Sequence, residues 1–336
     1  MNWTGFEQET LDMNQLSVRN TIVKRAEDIE FWRSICPHLS ISESPLSSNM
    51  KPYAVSPHDI QKMGKQVLEE GYFQVGPVVP RQQTKLMADS VRTVVDHGFP
   101  ATFVLVYDQV WQMLSRLENL LSPVLGAFYF MTLDVWIYYI RGVNEERAEP
   151  KEDSGWSPHR DGKPVFNTLR DDGRPQLLTV WIPFTDTTVE HSCMYVLPTH
   201  LDPNYPNNLL EYSVPRESLQ DIRALPAEAG AVIGWNDYAL HWGSRSSRWA
   251  DGPRISLGAR FQSRDLDGSN FLTLDPNSSF NFQARLATIG ALFNRYSRRT
   301  KCPEALVNFC RSQALLYNAI NQIRVFKERS AVESTL

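Results

Sequence analysis

The sequence predicts a mainly β core with helices before and after it, and three observations carry that prediction. Between residues 128 and 264, short runs rich in aromatic and β-branched residues alternate with Pro, Gly and Asn. Before residue 126 and after residue 276, apolar residues recur at helical spacing instead. Two long polar stretches, 141–158 and 199–229, interrupt the strand-like region. Short strands so punctuated belong to a sandwich or a barrel. Three-to-four spacing belongs to amphipathic helices.

The elements follow in chain order. Residues 1–50 are mixed and polar, and 40–50 reads as a loop. Ser56-Pro57 starts a helix, Ser as N-cap and Pro at the first helical position. Ile60, Met63, Val67 and Leu68 continue it to a stop at Gly71, and YFQV (72–75) is a short strand. A second helix covers roughly 81–97 and stops at Gly98; a third apolar segment covers about 104–121. The core then reads as strands at 128–140, 177–184, 193–198, 231–235, 238–242 and 254–261. The stretch 199–229, with Pro203, Pro206, Pro215 and Pro226, reads as a lid, as does 141–158. No internal repeat is visible. The layout predicts one domain over 1–336: a helical region 1–125, a core 126–264 and C-terminal helices 265–336 that cover the core or form a homodimer contact.

Composition narrows the function. Hydrophobic residues make up 42 % and charged residues 21 % of the 336, enough apolar material for a full core. A net charge of −4 builds no positive field, so nucleic acid and acidic membranes are poor partners. Cys36, Cys193, Cys302 and Cys310 form no CxxC pair, which argues against a disulfide framework or a thiolate zinc site. No apolar run approaches the ~20 residues of a membrane span, and the N-terminus shows no basic-then-apolar signal. These features predict a cytoplasmic protein, monomeric or homodimeric, acting on a small molecule.

The chemistry begins at His159-Arg160-Asp161. On a strand, alternate residues share a face, so His159 and Asp161 would point together with Cα atoms about 6–7 Å apart. Two His and one carboxylate on one side of a metal leave open positions, the arrangement of non-haem Fe(II) oxygenases. The second His is read as His241, on an apolar run two residues before Gly243. His191 and His200 are rivals: His191 lies in a turn-like stretch and reads as solvated, His200 opens a polar insertion. An isolated HxD is a weak signal, and the rest of the pattern raises it.

An anionic co-substrate needs an anchor. Arg254 opens RISLGARF, and its planar fork suits a carboxylate. Ser256 shares its strand face and can donate a second hydrogen bond. Arg260 has the same parity but lies roughly 20 Å further on at about 3.3 Å per residue. Parity also pairs Thr179 with Trp181 and Trp136 with Tyr138. If those faces look inward, Thr179 contributes to the co-substrate site and Trp181, Tyr138 and Trp136 to the substrate wall; the alternative for all four is core packing. Trp156 belongs to the loop before His159. Arg245, Arg248 and Lys163 are positioned for an anionic or carrier handle on the substrate, or are solvated.

With these residues in place, the chain resembles the phytanoyl-CoA dioxygenase (PhyH-like) family of Fe(II)/2-oxoglutarate oxygenases. The resemblance rests on EEGYFQV (69–75), HRD (159–161), TVWIPFTDTTVEHSCMYVLPTH (179–200), HWGS (241–244) and PRIS (253–256). It implies a double-stranded β-helix, or jelly-roll, cupin-like core. It implies Fe(II) on His159, Asp161 and His241, 2-oxoglutarate on Arg254 and Ser256, and O2 as oxidant. The expected activity is hydroxylation of an unactivated C–H bond with release of succinate and CO2. The same iron site also serves desaturation, epimerisation, cyclisation or endoperoxidation. VEHSC (189–193) and PTH (198–200) depart from the family's usual turns. Asp161 favours oxygenation over halogenation, because related halogenases lack that carboxylate.

Two rivals fare worse. HRDGKPVFN shares HRD with the kinase catalytic loop, but Asn167 stands six residues after Asp161 where that motif needs five. A non-catalytic jelly-roll binding protein would be signalled by loss of a ligand or of the anchoring Arg, and neither is lost.

Overall fold

The computed structural model describes residues 21–42, 50–142, 155–162, 168–266, 273–275, 281–296 and 302–316. Most expectations along the chain meet an element. Ser56 caps the helix Pro57–Glu70 by accepting from the Asp59 N–H, and Gly71 ends it in the left-handed conformation at φ 78°. Only a residue without Cβ takes that conformation freely. The second helix is Arg81–Asp96. The apolar segment expected at 104–121 divides into a 3-10 turn, Ala101–Val106, and two short helices, Asp108–Ser115 and Glu118–Leu125.

The described residues form nine strands: β1 Tyr72–Val75, β2 Tyr129–Ile140, β3 Leu177–Pro183, β4 Met194–Leu197, β5 Arg223–Leu225, β6 Val232–Asn236, β7 Leu240–Gly243, β8 Arg254–Ser263 and β9 Thr273–Leu274. Seven follow expected runs; β5 and β9 do not, and β9 lies in the stretch 265–336 expected to be helical. They form a six-stranded sheet, ordered β1-β6-β3-β8-β2-β9, and a three-stranded sheet, ordered β5-β4-β7. Every pairing is antiparallel. Trp181, Ile233 and Trp235 of the large sheet pack with Met194, Val196 and Leu225 of the small one. Two antiparallel sheets enclosing one apolar interior make this a jelly-roll-type core. No helix among the described residues is long and apolar enough to cross a membrane.

Two readings are corrected. Residues 159–161 are not a strand: His159 makes a single bridge, to His241, and the chain bends at Asp161. The insertion 199–229 is not wholly a lid, because Arg223–Leu225 within it is the edge strand β5, paired with β4. Of the loop 141–158, residues 143–154 lie outside the described residues, and so does Lys163.

The chain divides into two compact units: residues 47–92 with 109–278, and residues 1–46 with 93–108 and 279–336. The first holds both sheets. In the second, Trp32 stacks on Phe103 with ring centroids 5.6 Å apart, and Arg285 of the helix Phe282–Tyr296 pairs with buried Asp108 at 2.6 Å.

Gly234 on β6 lies where a Cβ would stand 2.4 Å from the fully buried Phe73 ring. Gly234→Ala is expected to destabilise the sheet unit by about 1–3 kcal/mol, read as a lowered urea midpoint; an unchanged midpoint would mean the ring yields at no cost.

Candidate metal centre and anion cradle

His159 and His241 are far apart in sequence and meet through the backbone. The His159 N–H donates to the His241 carbonyl and the His241 N–H to the His159 carbonyl, both at 3.0 Å. Residues that exchange both bonds across an antiparallel pair project their side chains to the same face. The rings accordingly sit 4.4 Å apart, centroid to centroid. Just beyond, the Gly162 N–H donates to the Asp237 carbonyl at 2.9 Å. A Cβ on Gly162 would stand 2.7 Å from an Asp237 carboxylate oxygen, so the residue after the HxD motif must be small.

Asp161 completes the cluster. Its Oδ1 lies 3.7 Å from His159 Nε2 and 3.7 Å from His241 Nε2. Among the described residues these three side chains form the one group of His, Cys, Asp or Glu able to hold a metal ion, with ligand atoms all within 4.8 Å of one another. Each imidazole is oriented from behind: His159 Nδ1 faces the Ser157 carbonyl at 2.8 Å and His241 Nδ1 the Ala239 carbonyl at 3.0 Å. A carbonyl only accepts, so Nδ1 carries the proton and the Nε2 lone pair is left for a metal. The second carboxylate oxygen, Oδ2, accepts from Thr179 Oγ1 at 2.7 Å and from Trp235 Nε1 at 2.9 Å.

Electrostatics favour ligation. Burial acts to raise the Asp161 carboxyl, but His241, His159, Arg260 and the Thr179 hydroxyl outweigh it and hold the group well below the usual carboxylate range. Burial draws His241 down to about 4, against the pull of Asp161, so the ring is neutral near pH 7. Behind Asp161, Arg260 Nε donates to Asp237 at 3.0 Å, with Asp134 3.9 Å from the same guanidinium. Burial pushes Asp237 up to about 6, with Arg260 opposing and Asp161 adding to the rise.

The other end of the interior is basic. Arg254 is 1 % exposed, and Ser256, two residues on, is fully buried. The guanidinium lies 5.7 Å from both the Tyr138 and Trp181 ring centroids. Its Nη1 donates to the Ser192 carbonyl at 2.6 Å. Ser192 takes a left-handed φ of 60° in the VEHSC turn, which points that carbonyl at the arginine. Gly243 gives it room, since a Cβ there would stand 3.1 Å from Nη1. Gly243 shares a strand face with His241, so Arg254 sits one strand step, about 7 Å, along from the metal cluster. Burial lowers the arginine to about 10, and it stays charged near pH 7. Among the described residues it has no carboxylate partner, and Arg254 Nε, Ser256 Oγ and Trp181 Nε1 are buried with no hydrogen-bond acceptor or donor facing them. A buried cation and two further donors without an acceptor form a cradle that an anion completes. A dicarboxylate co-substrate reaching from the metal fits it.

The remaining predicted residues take these places. Thr179 faces the metal side of the interior, and its hydroxyl proton goes to Asp161 rather than toward the arginine. Trp136 and Tyr138 stand opposite Gly258 and Ser256 on β2, half-buried, and Trp156 meets the Tyr138 ring edge-on at 5.9 Å. His191 is not solvated: it bonds Thr188 at 2.8 Å and Asp251 at 2.6 Å, outside the metal cluster. Sequence reasoning missed Trp235, Asp237 and Arg160. No local signal marked Trp235, because its place directly opposite Thr179 is set by the register between β3 and β6.

Two imidazoles and one carboxylate on a jelly-roll core, with no thiolate among them, define the non-haem iron class of site. The comparison with families agrees: residues 143–250 match the family model described as phytanoyl-CoA dioxygenase (PhyH), a span that contains His159, Asp161 and His241. Over that stretch the chain is similar to the PhyH family. No curated protein matches it. Solved structures similar to it include the epimerase SnoN in complex with Fe3+, alpha ketoglutarate and nogalamycin RO (18 % identity, 66 % of this chain and 94 % of that one, TM-score 0.47). Another is the non-heme alpha ketoglutarate dependent carbocyclase SnoK from nogalamycin biosynthesis (16 %, 69 % and 99 %, 0.45). A third is EctD from S. alaskensis with 2-oxoglutarate and 5-hydroxyectoine (11 %, 67 % and 86 %, 0.43).

The middle residue of the motif faces away from the metal. Arg160 pairs with Asp202 at 2.7 Å, both side chains fully buried, and also donates to the Tyr238 carbonyl. Arg160→Met leaves Asp202 uncompensated and is expected to cost about 3–5 kcal/mol, measured by urea unfolding. The Arg160→Met, Asp202→Leu pair should recover part of the loss, and a double variant worse than the single would refute the ion-pair account.

Proposed function

We propose that this chain is an Fe(II)- and 2-oxoglutarate-dependent dioxygenase that hydroxylates an unactivated C–H bond of a small organic substrate. The observation that carries the reading is the buried Arg254–Ser256 cradle one strand step from His241, where Arg254 Nε and Ser256 Oγ meet no hydrogen-bond partner among the described residues. His159 Nε2, Asp161 Oδ1 and His241 Nε2 would hold the iron. Arg254 and Ser256 would hold the far carboxylate of 2-oxoglutarate. The iron, when bound with 2-oxoglutarate and O2, supplies C–H oxidation coupled to decarboxylation of the co-substrate to succinate and CO2.

The chain's own part is placement and exclusion. Ser157 and Ala239 carbonyls fix the imidazole tautomers. Arg254 orients the co-substrate through a two-point contact that a point charge does not give. Trp181 and Tyr138 wall the arginine and keep water from it, which strengthens every charge interaction inside. His159 and Asp161 are the more exposed ligands, at 33 % and 23 % of the side chain, and His241 the buried one at 4 %. The substrate therefore approaches from the His159–Asp161 side. Its identity, and any anionic or carrier handle, are left to a substrate screen.

Anaerobic Fe(II) and 2-oxoglutarate should give a weak visible charge-transfer band in the wild type. His159→Ala and His241→Ala are expected to lose it, and a band surviving in both would end the assignment. Arg254→Ala should weaken 2-oxoglutarate binding at least tenfold, about 1.4 kcal/mol or more, by titration of the same band; unchanged affinity removes Arg254 from the account. With a turned-over substrate, succinate release and a mass gain of one oxygen support hydroxylation. Loss of two hydrogens or an unchanged mass would assign desaturation, or epimerisation, to the same site.

A further inference from the structure

Asp161 has two carboxylate oxygens, and only one faces the imidazoles. Oδ1 lies 3.7 Å from both Nε2 atoms. Oδ2 already accepts two hydrogen bonds, from Thr179 Oγ1 at 2.7 Å and Trp235 Nε1 at 2.9 Å. The two donors come from adjacent strands at directly opposed positions, Thr179 on β3 and Trp235 on β6. Trp235 is held in turn: it is 5 % exposed, and its ring packs on His241 with centroids 4.5 Å apart.

We infer that Thr179 and Trp235 are positioning residues that lock Asp161 into binding the metal through Oδ1 alone. The inference rests on the metal-site reading above and adds to it what holds the carboxylate. A carboxylate free at both oxygens can bind one ion with both, as bidentate carboxylates do. Here the second oxygen is committed to two neutral donors on paired strands, which leaves Oδ1 for the metal. An indole N–H and a hydroxyl suit the task because they hold the oxygen without adding a charge that competes with the metal. The same contacts orient Oδ1, and partners behind a ligand typically contribute 10–100-fold in metal affinity.

The test uses Co(II) and Mn(II) alone as probes, on the whole chain. Thr179→Val keeps the shape and removes the donor; Trp235→Phe keeps a ring and removes the indole N–H; Thr179→Ser keeps the hydroxyl. Titration calorimetry of the wild type comes first. If the wild type binds neither ion, the metal-site reading itself fails. Given wild-type binding, Thr179→Val and Trp235→Phe are each expected to lose about 10-fold in affinity, and the double variant up to about 100-fold. Thr179→Ser should match the wild type. The visible Co(II) spectrum of the double variant should also change shape, because the carboxylate is then free to turn. Wild-type affinity and spectrum in the double variant would overturn the proposal. So would losses that merely track a lower melting temperature of the metal-free variants, since that pattern marks general damage to the fold.

Discussion

The reciprocal backbone bridge between His159 and His241 is the constraint on which the rest of the site depends. A loop and a strand far apart in sequence are joined by two peptide hydrogen bonds, and those bonds alone decide that both imidazoles face one way. Asp161 needs no strand of its own, because the chain bends once His159 is pinned and Gly162 is tied to the Asp237 carbonyl. The metal cluster is in this sense a property of the main chain, and its side chains inherit their geometry.

The interior has two ends of opposite electrical need. At one end Asp161 is surrounded by donors, Thr179 and Trp235, with the Arg260 guanidinium further back donating to Asp237. At the other, among the described residues, Arg254 donates to a backbone carbonyl and a thioether and meets no carboxylate. A buried charge left in that condition is costly unless something of opposite sign arrives. A carboxylate held there, as the proposed function has it, would remove that cost, and Ser192 beside it takes the left-handed region.

Much of this was legible in the sequence, and the failures have physical causes. Ser56-Pro57 and Gly71 marked a helix because capping and left-handed stops are local chemistry. The β2, β3 and β8 runs were readable because alternation is local too, and parity correctly put Arg254 with Ser256. Trp235 was not readable, because its meaning depends on the register between β3 and β6, which nothing local specifies. The same holds for Arg260 and Asp237, a pair formed across strands. β5 was hidden because three residues inside a proline-bearing insertion are too few to show alternation. His191 looked solvated because its partner, Asp251, comes from a different loop.

Arg160 sits between two ligands yet belongs to another part of the molecule. Its ion pair with Asp202 nails the first turn of the long insertion to the peptide that carries the metal ligands. Anyone grafting a foreign loop over 199–229 to alter what the protein accepts inherits a rule: the aspartate travels with the arginine, or both are exchanged together. The insertion and the peptide that carries His159 and Asp161 are, at this rivet, one inheritable part.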